Sequence, residues 1–161
     1  MLRRRLLLAL FVVTCVPFAA EAQILVDTTK RIVGSRAILE SDLRIVKELK
    51  LVPSFAGTED EILTDYENRM LAVAFIDRVT ALPEPAQEEV IERRKQWESA
   101  LGGDATARLA AVHYSEPELM TWLRDDIRLE KYEKQRFGRE ADPAKARNDW
   151  IRGLRKQAGL K

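Results

Sequence analysis

Arg31 to Leu43 reads R-I-V-G-S-R-A-I-L-E-S-D-L, and the fold turns on how this stretch is parsed. A β-type run, Thr29 to Val33, meets a turn signal at Gly34-Ser35. A second short run, Arg36 to Leu39, follows, and Ser41-Asp42 then opens an apolar-periodic helix. Glycine supplies the turn with backbone freedom that a β-branched residue lacks. The Ser41 hydroxyl is placed to cap the helix, and Asp42 suits the positive end of the helix dipole. The stretch predicts a small hairpin that launches a helical body. It is short, and an ordinary hairpin-then-helix at the start of any small domain reads the same way.

Beyond Ser41 the apolar spacing is helical almost throughout, with no repeat, low-complexity tract or strong linker. A first helix is expected from about Asp42 to Leu51, ended by Pro53-Ser54-Phe55-Ala56-Gly57. Thr58-Glu59-Asp60-Glu61 is a capping box, so a long second helix runs from about Glu59 to Thr80. Its second half, M-L-A-V-A-F-I from Met70 to Ile76, is apolar nearly all round. Such a segment is normally enclosed by other helices, which places it at the centre of the fold.

Leu82-Pro83-Glu84-Pro85 breaks the chain, and Pro85 suits the first turn of a third helix reaching Leu101. That helix is mostly charged and belongs on the outside, with Val90, Ile91, Trp97 and Leu101 as its inner stripe. Gly102-Gly103 ends it, Asp104 caps a short helix to about Val112, and His113-Tyr114 connects onward. Ser115-Glu116-Pro117-Glu118 is a second capping box. Its helix carries Leu119, Leu123 and Ile127 on one face, widened by Met120, Trp122 and Leu129, and stops at Gly138. Gly138 to Asp142 is a short connection, and Asp142-Pro143 opens a C-terminal helix bearing Ala146, Trp150, Ile151, Leu154 and Ala158. The expected fold class is therefore mostly α, a multi-helix bundle with a small N-terminal β-hairpin and a returning C-terminal helix.

Upstream of the hairpin, Arg3-Arg4-Arg5 and the apolar run Leu6–Ala20 precede Ala20-Glu21-Ala22. This is the pattern of a secretory signal peptide, residues 1–22, with cleavage expected between Ala22 and Gln23. An uncleaved membrane anchor would need a longer run. Export is the implied destination, with one modest domain over residues 23–161 that has length enough for its own core. The only cysteine, Cys15, falls in the leader, so the expected mature chain relies on core packing rather than disulfides. With 27 Lys and Arg against 26 Asp and Glu, the charge balance gives no reason to expect nucleic acid or an anionic membrane as partner.

The catalytic inventory is thin. The chain has a single histidine, His113, placed between two helices with no nucleophile-elbow motif nearby, which fits a surface or cap role. No HExxH, EF-hand, GxGxxG or P-loop spacing is present, so no metal, nucleotide or other cofactor is expected. The carboxylates alternate with Lys and Arg along helix faces, as solvated helices do. What remains is surface for binding. Tryptophans and methionines at helical spacing usually belong to cores. They also suit low-specificity capture of extended apolar segments. Met120 and Trp122 are the first candidates for such a groove, followed by Tyr132 and Met70, with Trp150 on the C-terminal helix.

The I-L-x-S-D-L ending of the hairpin, the long apolar helix, the proline-marked charged helix and the Ser115–Phe137 helix occur in an order that resembles the N-domain of SurA-type periplasmic chaperones. In that family parvulin isomerase domains follow, and a final helix returns to pack on the N-domain. Here the short connection at 138–142 stands in their place, and Asn148 to Lys161 looks like the returning helix. The resemblance implies an ATP-independent holdase, not an enzyme, whose partners are unfolded outer-membrane or exported polypeptides. Two other readings stay open. One is an adaptor for a single specific partner, such as a separate isomerase or assembly factor. The other is a peptidyl-prolyl isomerase relative, for which no stretch here can hold the catalytic domain.

Overall fold

The computed structural model describes residues 27–79 and 82–160, so the expected leader lies outside the described residues. Two strands, β1 (Thr29–Val33) and β2 (Arg36–Leu39), form an antiparallel hairpin. Val33 pairs with Arg36 across the Gly34-Ser35 turn, and Gly34 takes the left-handed conformation at φ 61°. Val33 and Ile38 face inward and are buried, while Ile32 and its partner Ala37 face solvent. The period-two pattern therefore seats one face of the hairpin on the helices.

Helix α1 (Glu40–Glu48) begins earlier than expected, and Ser41 is not its cap. The Asp42 carboxylate accepts the Leu39 backbone N–H at 2.9 Å, which moves the start back to Glu40. Ser41 is instead held by Asp27, whose carboxylate accepts both its N–H and its hydroxyl. The helix also stops before Leu51. Lys50 adopts a left-handed φ of 51°, and Leu51 N–H returns to the Val46 carbonyl at 2.8 Å. That is a Schellman ending with lysine in the position glycine usually takes. The Lys50 ammonium donates to the Ala100 and Leu101 carbonyls, 3.0 Å from each, at the C-terminus of α3 (Gln87–Leu101). Trp97 of α3 donates its indole N–H to the Leu49 carbonyl at 2.8 Å. The ends of α1 and α3 are thus stitched together by two donors.

Helix α2 (Glu59–Val79) starts at the expected capping box, with Thr58 N–H on Glu61 at 2.7 Å. Helix α3 departs from the reading in two ways. Its N-cap is Ala86, so Pro85 stands before the helix rather than in its first turn. Ile91 is 43 % exposed, leaving Val90, Trp97 and Leu101 as the inward stripe. Helices α4 (Ala105–Ala111) and α5 (Glu116–Phe137) follow, capped by Asp104 and by the Ser115/Glu118 box. Between them His113 sits exposed at φ 54°, terminating α4 in a second left-handed turn. Helix α6 (Pro143–Gln157) is capped by Asp142, which accepts the Lys145 N–H at 2.9 Å.

The fold is mostly helical with one small hairpin. Its interior falls into two clusters. The larger joins the hairpin, α1, the first half of α2, α3, α4 and the first half of α5. The smaller is built from Ala72 and Ile76 of α2, Leu129 and Tyr132 of α5, and Ile151 and Leu154 of α6. Helix α2 runs through both. Between them lies Glu67, with no solvent exposure. Its carboxylate meets Arg31 of β1 at 3.0 Å and Arg155 of α6 at 3.0 Å. One buried acid therefore ties the first strand to the last helix across α2. The M-L-A-V-A-F-I segment is only partly enclosed: Ala72 and Ile76 are sealed, Met70 and Val73 are half-buried, and Ala74 is exposed.

Candidate functional site

The open face of α2 is the floor of a groove of about 1110 Å³. Tyr66, Met70, Val73, Ala74 and Asp77 recur three and four residues apart, so they form one stripe of the helix. The same face of α2 begins under α1, where Leu63 and Tyr66 are buried, and beyond Met70 it emerges into solvent. This explains why the segment is apolar on nearly every side. Part of its surface serves the core and part lines an opening.

One wall comes from α5. Glu118, Thr121, Trp122 and Asp125 again recur at helical spacing, with Tyr114 just before the helix. The hairpin tip at Val33–Arg36 and Ile45 of α1 close one end, and Leu154, Gln157 and Ala158 of the α6 end complete the lining. Trp122 is only 7 % exposed and is held firmly. Its ring stacks on Tyr66, with centroids 5.8 Å apart, and the Arg69 guanidinium lies 3.4 Å above it. Arg69 also donates to Asp126 at 2.9 Å and to the Trp122 carbonyl at 2.9 Å. The wall is therefore rigid. The Trp122 indole N–H has no hydrogen-bond partner among the described residues.

The electrostatics follow from this burial. Burial raises the Asp126 and Asp125 carboxyls, and the Arg69 charge offsets part of the rise in each. Burial pushes the Tyr114 phenol up to about 12, helped by the neighbouring Glu118 charge, so it stays a neutral donor. Arg128 bridges Asp77 at 2.8 Å and Asp125 at 3.2 Å, clamping α2 to α5 beside the opening. The arrangement offers an apolar floor, a fixed aromatic wall and charged groups at its rim.

The five residues singled out from the sequence separate here. Met70 and Trp122 line the groove together. Met120 is half-buried against the larger core and lies outside the groove. Tyr132 and Trp150 belong to the smaller core, 5.4 Å apart by ring centroids, with Phe75 and Phe137 around Trp150. The floor residues Val73 and Ala74 were not among the five. Their signal was the all-round apolarity of α2, read there as enclosure. Glu67 also carried no local signal, since both its partners are distant in the chain. Among the described residues no group of three His, Cys, Asp or Glu is placed to hold a metal ion, and no helix is long and apolar enough to cross a membrane. Compared with family models, curated proteins and solved structures, the chain has no match in any of the three.

Proposed function

We propose that the protein is an ATP-independent holdase that takes up extended apolar stretches of non-native polypeptides in the groove over α2, acting on exported or outer-membrane chains in the periplasm. The observation that carries this reading is the Met70–Val73–Ala74 stripe, an apolar helix face left open to water within an otherwise packed bundle. From Tyr66 to Asp77 the floor rises roughly 16 Å, enough for about five residues of extended chain. Its side chains are small or flexible, which admits many sequences. A client segment would exchange water contact for the Met70–Val73–Ala74 stripe, beside the edges of the buried Trp122 and Tyr66 rings. Each such contact buries little area, and a flexible client loses entropy on binding, so capture is weak and reversible. The resemblance of the element order to SurA-type N-domains supports the same reading.

Light scattering from an unfolded β-barrel membrane protein, diluted out of denaturant, tests it. Suppressed aggregation at a few-fold molar excess is the expected result. Unchanged aggregation would remove the holdase reading.

A further inference from the structure

We propose that the segments preferred by the groove are apolar stretches flanked on both sides by acidic residues, a proposal that rests on the reading of the groove as a polypeptide-binding cleft. Along the groove every acidic group has a cationic or backbone partner, whereas two of the basic groups have no acidic one among the described residues. Four acids line the groove, and all are engaged. Asp77 and Asp125 share Arg128. Glu118 accepts the Ser115 N–H at 2.7 Å, and Asp42 accepts the Leu39 N–H at 2.9 Å, both at helix N-termini whose dipoles offset their charge. Arg69 is likewise committed to Asp126 and to the Trp122 carbonyl.

Arg36 and Arg78 differ. Both line the groove and both are exposed. Neither has a carboxylate within salt-bridge distance among the described residues; Arg78 only donates to the Ala74 carbonyl of its own helix, at 3.0 Å. They also stand at opposite ends of the floor. Arg36 is close enough to Tyr66 and Tyr114 for its charge to favour their ionised forms. Arg78 lies beyond Asp77, and from Tyr66 to Arg78 the helix rises roughly 18 Å. An extended chain covers that span in about five or six residues. A carboxylate at either end of such a segment meets a guanidinium with donors to spare. A lysine there meets a guanidinium of like charge, while the groove acids nearby already have cationic or backbone partners.

Three labelled peptides with the same short apolar core, flanked by Glu, Ser or Lys, separate the possibilities by fluorescence anisotropy on the purified protein. The Glu-flanked peptide is expected to bind about fivefold tighter than the Lys-flanked one at low salt. That margin should shrink at high salt. The double variant Arg36→Glu, Arg78→Glu should reverse the order, with circular dichroism checking that its helices are intact. Equal affinity for all three peptides, or a preference that survives the double reversal, overturns the acidic-flank assignment and leaves the groove reading standing. Binding of no peptide overturns the groove reading and this proposal with it.

Discussion

Glu67 has no solvent exposure, and two guanidinium groups from opposite ends of the chain converge on it. Removing a buried charge partner leaves the others uncompensated, so Glu67→Ala should cost about 3 kcal/mol, read from urea unfolding. The loss should fall toward the lower end of such effects, because Arg31 is one-third exposed and also lies 3.8 Å from Asp60. Two other carboxylates should titrate in opposite directions. Hydrogen bonds from Ser115 hold Glu118 below its ordinary 4.5. Its stabilisation is present above 4.5 and is lost as pH falls through the depressed value. Burial holds Asp126 above its ordinary 3.8. Its contribution has the other sign: the fold favours the protonated form, and that advantage is lost as pH rises through the raised value. Carboxyl-carbon NMR titration should place Glu118 below 4.5 and Asp126 above 3.8; a common midpoint for the two would contradict the burial difference.

Among the elements, the helix ends decide most of what was readable beforehand. The Thr58/Glu61 and Ser115/Glu118 boxes and the Asp104 and Asp142 caps involve residues three apart, so short-range pattern suffices. Ser41 was misread because its partner, Asp27, lies fourteen positions upstream and competes with the local cap. Ile91 was misread because the inner stripe of α3 is narrow, and the helix rotates it out toward solvent. The early stop of α1 was hidden for a different reason: Lys50 carries a left-handed turn normally marked by glycine. Its ammonium, bonded to the last carbonyls of α3, supplies the compensation. Lys50→Ala should therefore lower stability by about 1 kcal/mol, while Lys50→Gly should cost less, since glycine removes the backbone strain even as the two bonds are lost. Thermal unfolding of the pair reads this directly. Equal losses would mean that the turn carries no strain.

For the whole molecule, the groove arises because α1 and α6 between them do not cover all of α2. Residue type alone singles out methionine and aromatic side chains, of which Met70 and Trp122 line the groove while Met120, Tyr132 and Trp150 do not. It missed Val73 and Ala74, because an open face of small apolar residues has the same letters as a sealed one. Only the placement of the neighbouring helices distinguishes them. Ala74 is exposed and outside both core clusters, which makes it the cleanest probe of the groove. Ala74→Arg should leave the melting temperature nearly unchanged, as surface substitutions usually do within about 0.5 kcal/mol. On the proposed function, suppression of aggregation of an unfolded β-barrel protein should fall several-fold. Full retention of that suppression would move the binding surface elsewhere.

The smaller core has a consequence for the order in which the molecule can be completed. Ala72 and Ile76 are made early, and their partners Ile151 and Leu154 near the end. Until the α6 segment has been synthesised, the growing chain carries a half-built seam along α2, with Glu67 waiting for its second arginine. For that interval the apolar flank of α2 formed by Ala72 and Ile76 stays uncovered, and the seam closes only when Ile151 and Leu154 arrive.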